Sequence, residues 1–357
     1  MQMSTVLRRT VSIAAVGVTA LVVLGACSPP AEPEPTAAPA GGPAPTETAA
    51  PPFPTTVVHS GGETTLEVAP ERIFTFGAQQ THSLLALGIA PVASGGGSLG
   101  PWREEAIGSL GAGVVPTIDP LDGDTLADVE AVSPDVIVTA LPFQPFDMDP
   151  TSWLAFYNDL PEVAPTIRPP LSALDSPEFS SSDSWRETLL QMGQIVGHVP
   201  EAEAHLASID DSLAAHAAAH PEFAGKTIAV ISPQGGSVAY SKSNTAVAAL
   251  LEQLGFTYAD DSTVAYNSES DSGKVYYLWA DDVEQLDTDV LIYIGDPVGA
   301  PYWVTFVEAS ATGADGVIHY PGFLDEPTLG MFAPTALSVP WAVDAFVADL
   351  AASIGAP

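Results

Sequence analysis

Between residues 184 and 220 the chain reads SWRETLLQMGQIVGHVPEAEAHLASIDDSLAAHAAAH, and the fold turns on what this stretch does. Ser184 with Glu187 three residues later has the form of a capping box, in which each side chain satisfies a backbone donor at a helix start. Gly197 suits the end of that helix, because glycine enters the left-handed conformation without steric cost. Pro200 fits the first turn of a second helix, where its missing N–H would have had no partner anyway. Ala202, Leu206, Ile209, Leu213 and Ala217 then recur close to a 3.6-residue period. That helix reaches about His220, and some 20 residues at about 1.5 Å each span roughly 30 Å, the breadth of a small domain. It is either a rigid strut between two lobes or a packed helix of one lobe, and periodicity is compatible with both.

On each side of this stretch strands and helices alternate. Before it, Arg72–Phe76 is a short apolar strand, followed by Gly77 and a helix over Thr81–Leu87 closed by Gly88. Pro91–Ser94 is a second strand, then come a glycine-rich loop, helical stretches over Trp102–Leu110 and Thr125–Val132, and a buried-type strand at Asp135–Thr139. After it, Lys226–Ile231 is a strand, Thr245–Leu254 a helix closed by Gly255, Asp281–Leu286 a short helix and Asp289–Ile294 a strand. Two such blocks imply an α/β fold of two Rossmann-like lobes with largely parallel sheets. The expected lobes are 56–183 and 221–357, joined by connecting and bridging helices at 184–220, with the ligand cleft between the lobes.

The N-terminus reads as an export signal. Arg8 and Arg9 are its positive region, Val11–Leu24 its apolar run, and Leu24-Gly25-Ala26-Cys27 has the form of a lipobox. Cys27 is the expected lipidation point: it is the chain's one cysteine, it sits at the cleavage position, and a linker follows. An ordinary signal peptide with a chance cysteine, or a twin-arginine signal, are the other readings. Residues 1–26 are thus the signal. Residues 27–55 are the lipidated cysteine and a Pro/Ala/Thr tether with too little apolar bulk to form a core. Two acyl chains on one glycerol anchor firmly where a single chain does not. With that thiol capped, disulfides are excluded and a large core must hold the fold. About 300 residues remain, enough for two domains.

The full chain has a formal net charge of −35. Removing residues 1–26 takes away Arg8 and Arg9 and no acidic residue, leaving 44 acidic against seven basic side chains, a formal −37. Nucleic acid and anionic lipid are poor partners for such a surface, and no nucleic-acid partner is expected.

Several segments, in order, resemble a known family. Arg72-Ile73 with Leu84-Leu85-Ala86-Leu87-Gly88-Ile89-Ala90-Pro91-Val92, then Val132-Ser133-Pro134-Asp135-Val136-Ile137-Val138, are two of them. Ser184-Trp185-Arg186-Glu187, Glu201-Ala202-Glu203-Ala204, Leu286-Asp287-Thr288-Asp289-Val290-Leu291-Ile292 and Ala336-Leu337-Ser338-Val339-Pro340-Trp341-Ala342-Val343-Asp344 follow. From about Thr56 onward the chain resembles ABC-transporter substrate-binding lipoproteins of the iron-siderophore, haem and cobalamin class, of the actinobacterial ferric-siderophore type. The resemblance implies two lobes on one long helix, small closure motion, an ABC permease as partner, a monomer, and the extracytoplasmic face of the cell membrane as location. It also implies one acidic docking residue per lobe. In the second lobe this falls on Asp281. In the first it falls on Ala127, which cannot pair, and Asp124 and Asp128 flank it as substitutes. The same carboxylates read equally well as solvated helix-start residues.

Ligands of open α/β sheets bind beyond the carboxyl ends of the strands. That rule selects loops carrying Gln79 and Gln80, Trp102 and Arg103, and Phe143 in the first half. In the second it selects Gln234, Tyr240 and Lys242, then Asp296 and Trp303. Trp303 also suits a core, since it opens a helical stretch. Amides and aromatics suit a bulky organic ligand with carbonyl oxygens. Cations are scarce: of the seven, only Arg103, Lys242 and Lys274 fall on such loops. A polyanionic ferric catecholate would be poorly compensated, which favours a hydroxamate or mixed ferric siderophore. Haem and cobalamin are the alternatives.

Other chemistry is weaker. Gly96-Gly97-Ser98-Leu99-Gly100 matches the G-x-S-x-G elbow of serine hydrolases, but no oxyanion-type segment precedes it, and two repeated blocks have no place in that fold. A lipid-anchored hydrolase using Ser98 is the distant alternative. His216 and His220 are spaced i, i+4 without a third ligand nearby, and only His82 approaches a strand-end loop, so direct metal binding ranks low. The expectation is a non-enzyme without a cofactor, iron entering only as part of the ligand.

Overall fold

The computed structural model describes residues 53–96, 100–119, 125–140, 150–170, 184–234, 237–270, 273–279, 283, 286, 288–295, 316–320 and 330–354. A small antiparallel hairpin, β1 (Thr55–His59) with β2 (Gly62–Leu66), comes first among the described residues. The first lobe is a five-stranded sheet built from β3 (Ile73–Phe76), β4 (Ala93–Gly95), β5 (Thr117–Ile118), β6 (Val136–Thr139) and β7 (Thr166–Ile167). Its order is β5-β4-β3-β6-β7, all parallel. Every residue of β3 and β6 is buried, as expected of parallel strands covered on both faces.

One face carries α1 (Ala78–Ala86) and α2 (Gly100–Ser109); the other packs against α3 (Thr125–Ala131) and α4 (Pro150–Val163). Alternation along β3 shows this directly. Ile73 joins a core with Leu84, Val136 and Ala202, whereas Phe74 and Phe76 join Val129, Tyr157 and Leu160.

Two helices follow, α5 (Ser184–Val196) and α6 (Val199–Ala219). Gly197 stands between them at φ 77°, as its sequence position implied. The Ser184 half of the capping box is not made: Ser184 is 4% exposed, and its hydroxyl finds no hydrogen-bond partner among the described residues. α6 settles the question that periodicity left open. Ala202 lies in the first lobe's core, Ile209 and Leu213 lie in the second lobe's, and Leu206 packs against both. The helix is a strut, 21 residues or roughly 30 Å long.

The second lobe departs from expectation. Its seven-stranded sheet runs in the order 268–269, 275–278, 237–241, 227–234, 290–294 and 316–320, with 257–258 also paired to 227–234. β8 (Thr227–Gln234), β10 (Thr257–Tyr258), β13 (Val290–Ile294) and β14 (Gly316–Tyr320) form its parallel part. β9 (Ser237–Ser241), β11 (Ser268–Glu269) and β12 (Val275–Leu278) are antiparallel. The largely parallel repeat expected from the sequence is therefore a mixed sheet. Gln234 pairs with Ser237, so two residues join β8 to β9, a separation that only an antiparallel pair tolerates. α7 (Ala246–Gln253) is capped by Thr245, whose hydroxyl accepts the Ala248 N–H at 3.4 Å. The closing helix α8 (Ser338–Ile354) lays Val339, Val343, Phe346 and Leu350 into the second lobe's core.

Candidate functional site

At the carboxyl ends of the first lobe's strands the backbone is drawn tight. The Gly77 N–H donates to Gly95 O at 2.6 Å, and the Ala140 N–H to Phe76 O at 2.5 Å, so the exits of β3, β4 and β6 meet. Gly77 has φ 121°, and a Cβ there would stand 2.4 Å from Gln80 Oε1 and 2.6 Å from Ala140 Cβ. No larger residue fits, which makes this a closely packed floor. α1 starts on it with no side-chain cap. Gln79 is half-buried and accepts a hydrogen bond from the Thr188 hydroxyl at 3.4 Å. Gln80 is 3% exposed, and its Oε1 finds no partner among the described residues.

Several sequence candidates fall elsewhere. Trp102 is buried, donating its indole N–H to His82 Nδ1 at 3.3 Å, with its ring 5.3 Å from Trp341. Arg103 is buried beneath the sheet, where its guanidinium donates to Ser94 Oγ and Val115 O and pairs with Glu104. Tyr240 is fully buried in the second lobe's core and donates to Ala259 O and Asp261 Oδ1, both at 3.2 Å. Burial is the main cause that pushes its hydroxyl pKa well above the usual tyrosine range. These three offer a ligand no surface.

Lys242 is misplaced for a topological reason. β9 runs back along β8, so a residue after Ser241 sits at the end of the sheet away from β8's exit. There its ammonium pairs with Glu269 at 2.5 Å and lies 4.3 Å over the Tyr276 ring. Lys274, at the same end, donates to Asn244 O at 3.2 Å. The strand-end rule requires strand direction, which the sequence pattern did not give for β9 and β12.

The described residues include all seven cations that follow Cys27. Arg72 holds the Val132 and Ser133 carbonyls below the sheet, Arg186 pairs with Asp210 at 2.5 Å, and Lys226 precedes β8 at its amino end. Only Arg168 stands at a carboxyl edge, directly after β7. Its guanidinium lies 4.6 Å over the Tyr157 ring. The Tyr157 hydroxyl donates to Ala140 O at 3.1 Å, which ties that ring to the floor at the β6 exit. Arg168 has no carboxylate partner among the described residues. Burial and the neighbouring Arg168 charge both lower the His59 pKa.

Sequence reasoning also missed Trp279. β12 runs antiparallel to β9, with Leu278 opposite Val238 and Val238 opposite Pro233. The next residue, Trp279, therefore stands at the rim beyond β8, and it is 58% exposed. Its signal was present in the sequence as an aromatic following Val275-Tyr276-Tyr277-Leu278, a run not read as a strand. Asp128 is exposed in the first turn of α3, beside an exposed Ala127. His216 and His220 do not converge: they pair with Asp344 at 2.9 Å and Glu222 at 2.8 Å respectively. Cys27, Ser98, Asp124, Phe143, Asp281, Asp296, Trp303 and the Gln234 side chain lie outside the described residues.

Two lobes joined by a long helix agree with the comparisons to known proteins. The model of the periplasmic binding protein family matches residues 77–284, more than half of the chain. The chain belongs to that family. The ferric enterobactin-binding periplasmic protein FepB of Escherichia coli O6:H1 is 29% identical to this binding protein over 226 residues, 58% of this chain and 63% of the relative. The match thus spans less than two thirds of that relative's length.

Solved structures share the fold. A periplasmic solute binding protein from Mycobacterium smegmatis superposes with a TM-score of 0.64 at 23% identity, covering 84% of this chain and 98% of the other. PiaA from Streptococcus pneumoniae TIGR4, in complex with ferrichrome, gives 0.63 at 21% identity over 84% and 98%. Staphylococcus aureus SirA complexed with staphyloferrin B gives 0.60 at 20% identity over 83% and 98%. No described helix of this binding protein is long and apolar enough to cross a membrane.

Proposed function

We propose that this chain is the extracytoplasmic solute-binding component of an ABC importer and that it captures a ferric siderophore. The observation that carries the ligand class is the disposition of its cations. Six of seven are buried, paired or at the far ends of the sheets, and Arg168 alone stands at a strand exit. A ligand with several negative charges would lose hydration there without compensation. A ferric hydroxamate, or a mixed siderophore carrying one carboxylate for Arg168, loses far less. Trp279 offers a flat apolar surface to such a ligand. The relatives support a ferric siderophore as ligand, since one is a ferric enterobactin-binding protein and a solved neighbour holds ferrichrome; the preference for a hydroxamate or mixed type rests on the cations alone.

In this reading the protein performs no covalent chemistry, carries no cofactor and acts as a monomer. Cys27 holds it to the membrane by lipid, and Asp128, with Asp124 and Asp281, meets the permease. A Cys27→Ser chain that still fractionates with membranes, or a Cys27 peptide without added acyl mass, would overturn the anchor.

The test of function is titration of tryptophan fluorescence with ferrichrome, ferrioxamine, staphyloferrin B, ferric enterobactin, haem and cobalamin. Saturable quenching below about a micromolar, roughly −8 kcal/mol or better, is expected for a hydroxamate or mixed ferric siderophore. Tight binding of ferric enterobactin with none of the hydroxamates would refute the charge reasoning. Response to haem or cobalamin alone would replace the ligand class and leave the family intact.

A further inference from the structure

The end of the chain joins the lobes a second time. Ala336 is fully buried in the first lobe's core with Leu84 and Ala202, and Leu337 packs against Leu85, Ile107 and Val115 of the same lobe. From Val339 onward α8 belongs to the second lobe's core. The backbone thus passes from one lobe's interior to the other's within three residues.

Polar contacts fix the crossing. His82 on α1 is fully buried, with Nδ1 3.0 Å from Thr335 Oγ1 and 3.3 Å from Trp102 Nε1. An indole N–H only donates, so Nδ1 accepts and the neutral ring carries its hydrogen on Nε2. Thr335 Oγ1 itself accepts the Ser338 N–H at 3.0 Å, which leaves its own hydrogen for His82. Ser338 Oγ in turn accepts the Thr335 N–H at 2.8 Å and donates to Gly330 O at 2.9 Å. The strut contributes as well, with His205 Nε2 donating to Ala336 O at 2.7 Å. Trp341, the next turn of α8, closes the contact against Trp102.

We infer that residues 335–341 are a clasp that locks the first lobe to the second, so that the cleft's aperture is set by two ties instead of α6 alone. The clasp runs from α2 through His82 to the first turn of α8, and every polar group in that path is buried. Hydrogen bonds so enclosed are costly to leave unmade. Opening the lobes about α6 requires breaking them together with the Ala336 and Leu337 contacts. The inference rests on contacts between the lobes and is independent of the ligand.

The test compares the full chain with Thr335→Val/Trp341→Ala by calorimetry and by hydrogen exchange read with mass spectrometry. Wild type is expected to unfold in one transition. The double variant is expected to show a separate, earlier first-lobe transition. Its α1, α2 and β3 amides should exchange at least about tenfold faster while those of β8 and β13 keep their protection. Should the double variant not fold, Thr335→Val alone is expected to show the same pattern to a smaller degree. Thr335→Ser, which keeps the hydroxyl, is expected to behave as wild type. A single transition with α1 and α2 protection unchanged would overturn the clasp. So would equal loss of protection in both lobes, since that marks general core packing.

Discussion

Replacing Trp279 by alanine tests the rim. The residue is 58% exposed, and an aromatic of its size presents up to about 250 Å², so roughly 145 Å² is open to a ligand. A bound siderophore that covers half of it removes about 70 Å² from water, worth about 1.8 kcal/mol at about 25 cal/mol per Å². That corresponds to about a 20-fold rise in Kd. Trp279→Phe keeps much of the apolar face and should lose less than about fivefold. Isothermal titration with whichever ferric siderophore binds wild type reads both values without relying on tryptophan emission. Urea unfolding of the same variants should give unchanged midpoints, because an exposed ring contributes little to folding. A Trp279→Ala Kd within about twofold of wild type would refute the placement of this residue at the ligand.

Three further outcomes follow from the geometry. Arg168→Met should weaken carboxylate-bearing siderophores by about tenfold or more and leave neutral hydroxamates within about threefold, by the same titration. Equal losses for both would show that Arg168 supports the floor instead of meeting charge. Tyr240→Phe should cost about 1–2 kcal/mol in urea unfolding, since it deprives the Ala259 carbonyl of a buried donor, and should leave ligand affinity unchanged. A loss of affinity would return Tyr240 to the site. The Asp289 carboxylate accepts the Thr227 N–H at 2.7 Å and the Thr227 hydroxyl at 3.0 Å. These bonds hold its pKa below the ordinary value, the backbone one most strongly. Its contribution to stability is therefore present above the ordinary carboxylate range and lost as pH falls through the depressed value. The stability gap between wild type and Asp289→Asn should narrow as pH falls through and below the ordinary carboxylate range. A gap independent of pH would contradict the assignment.

The parallel strands and the strut were legible because they are fully buried or strictly periodic. Ile73–Phe76, Val136–Thr139 and Val290–Ile294 are short apolar runs with no exposed face to confuse their pattern. α6 was visible as a helix, but its role as a strut rests on which cores Ala202, Leu206 and Leu213 enter, and that is tertiary information. The ribbon of β9, β11 and β12 was missed because half-buried tyrosines such as Tyr276 and Tyr277 neither alternate cleanly nor form an apolar run. That omission changed which residues the strand-end rule selects. Without the direction of β9, Lys242 and Tyr240 looked like rim residues and Trp279 went unnoticed. Arg103 and Trp102 misled for another reason. α2 turns Arg103 onto Ser94 and the Val115 carbonyl and Trp102 onto His82 and Trp341, and no local pattern distinguishes those faces from one toward the cleft. Arg168 was overlooked because β7 is only two residues long.

Ala336 and Leu337 complete the apolar interior of a lobe whose last strand ends at Ile167. A chain delivered from its N-terminus therefore presents nearly all of the first lobe while the piece that finishes it is still absent. Leu84, Leu85 and Ala202 stay partly wetted over that interval, and the second lobe's sheet must appear before they are covered. The lobe that emerges first is in this sense finished last, which leaves it exposed to chaperones and proteases for longest. Damage late in the sequence should then register as instability early in it.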